Sequence, residues 1–155
     1  MEQYCRFAVE QTMQLLNIDS PTGYTRNATD YLLETLTNLG FEPVRNRKGS
    51  VCCTIGGEGR PLALAAHVDT LGAMVAQIKG DGRLKLTSLG GMNPNNAESE
   101  NVRVYTRSGK VIEGTCQLCN ASVHVNKDYS SASRSWDTVE IVLDEDVNSA
   151  ADARA

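Results

Sequence analysis

Near Leu71–Gly72 the hydrophobic period of the chain changes, and that change limits the folds open to it. Upstream, Cys5, Ala8, Val9, Thr12, Met13 and Leu16 recur at i, i+3, i+4, i+7, the spacing of one helix face. Asn17 to Gly23 is a dense breaker holding Ser20, Pro21 and Thr22. Ala28, Tyr31, Leu32, Thr35, Leu36 and Leu39 then predict a second amphipathic helix, closed by Gly40 at its C′ position. Gly49–Ile55 reads as a strand and Gly56–Pro61 as a turn. Leu62–Ala66 is apolar on both faces, as in an inner strand covered by helices.

Downstream, nearly every segment is short and alternating. Ala73–Ile78 and Leu84–Leu89 flank Lys79–Arg83, a hairpin signal. Gly90–Glu100 reads as a loop. Val102–Tyr105 and Val111–Gly114 flank a second turn, Ala121–Val125 is another strand-like run, and Lys127–Ser135 reads as a mobile polar loop. Trp136–Leu143 closes the series, with Val139, Ile141 and Leu143 on one face. Six or so short strands at this spacing predict a small barrel or sandwich. The fold class is therefore α/β, in two units with a boundary near residue 72.

A chain of 155 residues can hold a real core. Its net charge of −4 argues against a nucleic-acid partner. No apolar run is long enough to span a bilayer, and Met1–Arg6 lacks the start of a secretory signal. An odd count of five cysteines predicts reduced thiols and a cytoplasmic location. Cys116 and Cys119 have the spacing of half a zinc site or a redox pair. Cys52 and Cys53 are adjacent and point to opposite strand faces, so the other half is missing, and the favoured reading is small buried hydrophobes or harmless thiols. Ser149 and Asp152 form an approximate capping box for a helix that begins just before Ala155, which predicts a segment of a longer protein, with a frayed tail as the alternative.

The chemistry concentrates in His67-Val68-Asp69-Thr70, at the C-terminal end of the expected inner strand, the edge where open α/β sheets bind ligands. Residues i and i+2 share a side, so Asp69 can hold one nitrogen of the His67 ring and leave the other for a metal. The same pattern suits a core histidine hydrogen-bonded to a nearby carboxylate. His124, in Ala121–Val125, reads as structural, and Trp136 as core or an interface anchor.

In order along the chain, Ile18-Asp19-Ser20-Pro21-Thr22-Gly23, Arg47–Val51, Ala65–Val75, Ser88–Gly91, Gly109–Gly114 and the acidic step from Leu143 to Ala153 resemble motifs of one family. It is the glutamyl-aminopeptidase family, the cytosolic tetrahedral aminopeptidases, some of them once labelled endoglucanases. The resemblance implies that residues 1–72 are the N-terminal part of a zinc-peptidase-like catalytic domain. Residues 73–155 would be an inserted β-barrel assembly domain and the start of the following helix. It implies two divalent metals, zinc or cobalt, in the complete enzyme, with His67 as a metal ligand and Asp69 as the catalytic residue that orients it. It implies short peptides as substrates and a homo-oligomer, a dodecamer in the family.

Thr70 departs from that pattern, which usually has Glu there; His-Val-Asp-Thr is the form of related deacylases and tripeptidases. A co-catalytic site also needs a bridging carboxylate, further ligands and a general base, which the family carries beyond position 155. At most one partial metal site is expected here, without peptidase activity. The competing expectation is a non-catalytic assembly or binding module acting through its surface.

Overall fold

The computed structural model describes residues 1–154, so the end of the expected terminal helix, Ala155, lies outside the described residues. The protein is mixed α/β and divides into two compact units, Met1–Gly72 and a second beginning at Ala73.

In the first unit, α1 (Glu2–Leu16) and α2 (Arg26–Asn38) form where the 3.6-residue spacing predicts them. The Tyr31 hydroxyl of α2 donates to Gln11 Oε1 of α1 at 2.8 Å. Helix α2 ends as expected. Gly40 adopts φ +88°, its N–H reaches the Thr37 carbonyl, and the Phe41 N–H reaches that of Leu36, the paired bonds of a Schellman motif. Ala28 of α2 is fully buried, but the apolar stripe of α1 is not covered: Val9, Met13 and Leu16 remain exposed. Two short strands, β1 (Val44–Arg45) and β2 (Val51–Cys52), pair antiparallel through the Asn46–Ser50 turn.

The expected inner strand is corrected. Leu62–Ala66 joins no ladder among the described residues, and Leu62 and Leu64 are 86% and 82% exposed. An apolar run becomes an inner strand only when neighbours satisfy its backbone and layers cover its faces, and the described residues supply neither.

The second unit is one five-stranded sheet of β3 (Gly72–Ile78), β4 (Leu84–Leu89), β5 (Asn101–Tyr105), β6 (Val111–Leu118) and β7 (Val139–Leu143), in the order β3-β4-β7-β6-β5. The last strand lies in the middle, antiparallel to both β4 and β6. Alternate residues Leu84, Leu86, Cys116, Leu118, Val139 and Ile141 build the core, with Ala97 from the loop above and Trp136 packed partly against it.

Two other expectations change. Ala121–Val125 forms turns rather than a strand, and His124 is exposed there. The polar loop after it is pinned, not loose. Arg134 forms two bonds to the Glu98 carboxylate (2.7 and 3.1 Å), donates to the carbonyls of Tyr129 and Ala132, and lies over the Tyr129 ring. The tail bears out the capping box: the Asp152 N–H donates to Ser149 Oγ, and the Asp152 carboxylate accepts from Ser149 Oγ and the Asn148 N–H, opening a three-residue 3₁₀ turn, Asp152–Arg154.

Candidate functional site

The segment 67–70 leaves the exposed run and meets the breaker that follows α1. Helix α1 stops at Leu16 because Asn17 and the residues after it turn away, and Pro21 cannot continue a helix. The breaker then lies beside residues 68–70. Pro21 and Thr70 form a parallel bridge, and the Thr70 N–H donates to the Ser20 carbonyl at 2.9 Å. Ser20 is completely buried, and its hydroxyl donates to the Val68 carbonyl at 2.7 Å. The Ser20 N–H donates to Thr70 Oγ1 at 3.3 Å, so Thr70, the departure from the expected glutamate, closes this latch. Gly72 completes it: a Cβ there would sit 2.5 Å from Pro21 Cβ, closer than two carbons can approach.

On this latch the structure brings together both residues singled out from the sequence. His67 Nδ1 lies 2.9 Å from Asp69 Oδ1, and the Thr22 hydroxyl donates to Asp69 Oδ2 at 2.7 Å. The Asp69 carboxyl is held below its usual range, first by the Thr22 hydroxyl and then by His67. An ionised Asp69 accepts a hydrogen bond from Nδ1–H and leaves the Nε2 lone pair free, on a side chain that is 85% exposed. This is the donor arrangement of a metal-bound histidine with its orienting carboxylate. The fit extends to one ligand: among the described residues no group of three His, Cys, Asp or Glu side chains could enclose a metal ion.

Ser20 and Thr22 were not singled out by sequence reasoning. Their signal was present, two hydroxyls within a breaker, but nothing in the spacing shows that they face residues nearly fifty positions later.

The cysteines of the second unit do not converge. Cys116 points into the sheet core, where burial, aided by the Glu98 charge, pushes its thiol up to about 11. Cys119 lies exposed beyond the end of β6. The other dense cluster there is an ion network: Glu140, buried in β7, accepts from Lys79 Nζ and Arg83, each at 2.5 Å. It holds the β3–β4 turn to β7, and both cations are raised above their ordinary values chiefly by these bonds.

Residues 49–155 match the family model described as M42 glutamyl aminopeptidase. The chain is 43% identical over 145 residues to the putative aminopeptidase YhfE of Bacillus subtilis, covering 92% of this chain and 42% of that protein. It is 32% identical over 106 residues to the glutamyl aminopeptidase of Lactococcus lactis, covering 66% of this chain and 30% of that one. Among solved structures, a TET aminopeptidase from a marine-sediment thaumarchaeon superposes with a TM-score of 0.81 at 24% identity, over 94% of this chain and 40% of that one. The TET1 peptidase of Pyrococcus horikoshii, which can assemble into a tetrahedron or a large octahedral shell, superposes with a TM-score of 0.76 at 19% identity, over 94% of this chain and 42% of that one. The chain thus spans about two fifths or less of the length of these relatives.

Proposed function

Because this chain belongs to the M42 glutamyl aminopeptidase family, we propose that it is the N-terminal portion of a metal-dependent aminopeptidase acting on short peptides. The observation that carries the reading is the His67–Asp69 pair, held so that Nε2 is free. His67 provides one metal ligand through that nitrogen, and Asp69 holds the ring and its proton. A zinc or cobalt pair, when bound, supplies a Lewis acid for the scissile carbonyl and a lowered pKa for water. The contribution of this chain to that chemistry is positional: it presents an imidazole, fixes its tautomer, and keeps an ionised carboxylate behind it. The remaining ligands and the general base belong to the part of the family sequence that this chain does not span.

Residues 1–72 are then part of the catalytic domain, and the sheet from residue 73 onward is the assembly domain. Assembly into a homo-oligomer such as a dodecamer is supported by the tetrahedral and octahedral shells of the Pyrococcus horikoshii peptidase. A reducing cytoplasm suits five free cysteines, and among the described residues no helix is long and apolar enough to cross a membrane.

The expected result is that the purified 155-residue chain does not turn over aminoacyl-arylamides in zinc, cobalt or manganese, while joining it to the rest of a family sequence restores turnover. Hydrolysis by the chain alone that disappears in His67→Ala would overturn the partial-site reading.

A second reading, a non-catalytic binding module, is favoured by the bare faces of Leu62 and Leu64. In that case His67→Ala in the joined protein leaves turnover unchanged.

A further inference from the structure

We propose that Thr22 is a positioning residue: its hydroxyl fixes the Asp69 carboxylate so that His67 keeps its proton on Nδ1 and presents Nε2. The proposal deepens the reading of His67 as a metal ligand and rests on it for its functional meaning. The hydrogen-bond relay can be tested separately.

The geometry places one partner on each carboxylate oxygen. Asp69 Oδ1 faces His67 Nδ1 at 2.9 Å and Oδ2 accepts from Thr22 Oγ1 at 2.7 Å. A carboxylate at a surface turns readily about its terminal torsion and exchanges partners with water. Asp69 is partly open to solvent, with 38% of its side chain exposed, so its bond to His67 alone does not set the carboxylate plane. The second bond does. With Oδ2 anchored, Oδ1 stays where Nδ1 must donate to it, and the tautomer of the ring follows from the partner of that one nitrogen.

Thr22 can perform this task because its backbone is fixed on both sides. Ser20 and Pro21 before it are latched to Val68 and Thr70, and Tyr24 after it donates its N–H to the Pro21 carbonyl at 2.7 Å. The latch is made by Ser20, Thr70, Pro21 and Gly72, none of which needs the Thr22 hydroxyl. That separation matters, because removing the hydroxyl should leave the backbone in place and release only the carboxylate. The hydroxyl itself is exposed and closes no core contact, so a role in stability alone does not account for its aim at Asp69.

The chain has only two histidines, so long-range ¹H–¹⁵N correlation of the imidazole rings reads His67 directly, with His124 as an internal control. In mildly alkaline buffer, where histidine is ordinarily neutral, the expected spectrum has His67 protonated at Nδ1. Thr22→Val, which keeps the shape and loses the donor, should shift His67 to a mixture of tautomers. Thr22→Ser should restore the original pattern, and His124 should not move in either. Wild-type His67 protonated mainly at Nε2 overturns the proposal without any variant, and so does a pattern unchanged in Thr22→Val.

Addition of cobalt(II) to the chain joined to the rest of a family sequence, read by paramagnetic broadening of His67 over His124, separates the two ideas. Broadening with a tautomer indifferent to Thr22 retains the metal reading and rejects the positioning role. A Thr22-dependent tautomer without broadening retains the positioning role and rejects His67 as a ligand.

Discussion

Cys116 shows how burial changes the meaning of a residue that the sequence makes chemically suggestive. Paired by spacing with Cys119, it could hold zinc; placed in the sheet core, it is a small hydrophobe whose thiol is pushed up to about 11. The folded state retains this proton more tightly than the unfolded chain does. Its stabilising contribution is therefore complete below the ordinary thiol value of 9.0 and is lost as pH rises from there toward about 11. We expect the unfolding free energy from urea titration to fall across that window by an amount on the order of 2 kcal/mol, and the fall to flatten in Cys116→Ala. His67 and Asp69 of the candidate site were legible at this scale, whereas Ser20 and Thr22 were not. His67 and Asp69 are two positions apart, and they meet at 2.9 Å although residues 67–69 join no ladder among the described residues. Thr22 was not legible, because its partner is reached only through a tertiary contact.

At the scale of elements, local rules succeeded wherever the determining contacts are local. Both helices, the Schellman end of α2, the β3–β4 turn and the Ser149–Asp152 box involve neighbours within a few residues. Leu62–Ala66 and Ala121–Val125 failed for one reason: a strand is defined by its partners, and composition cannot report whether partners are present. Gly114 in β6 is a further case in which a neighbour decides. A Cβ there would lie 2.5 Å from the Val142 carbonyl oxygen and 3.1 Å from Ile141 Cγ2, on the strand against which β6 is paired. Gly114→Ala should therefore separate β6 from β7 and lower stability by about 1–3 kcal/mol. Amide exchange should rise in both strands but not in α2, which belongs to the other unit.

At the scale of the whole molecule, the two units differ in how completely they bury their apolar residues. The sheet unit holds seven buried residues in one cluster, whereas the first unit leaves Leu62, Leu64, Val9, Met13 and Leu16 in water. Exposed apolar surface on that scale drives association. The chain is expected to form larger species as its concentration rises, and the double variant Leu62→Lys, Leu64→Lys is expected to return it toward the monomer in light scattering. The helical signatures are expected to remain intact in that variant, because both leucine side chains are exposed.

The central place of β7 has a consequence in time. The β3–β4 and β5–β6 pairs are local and can close within microseconds, yet they share no edge until Val139–Leu143 inserts between them. During synthesis the two halves of this sheet must therefore wait, each with an open edge, for the last strand to leave the ribosome. The same strand carries Glu140, whose carboxylate meets Lys79 and Arg83 on the waiting β3–β4 turn. Registration of the final strand is thus checked by charge as well as by its apolar face: a slip of one residue would turn Glu140 into the core and Val139 toward the two cations.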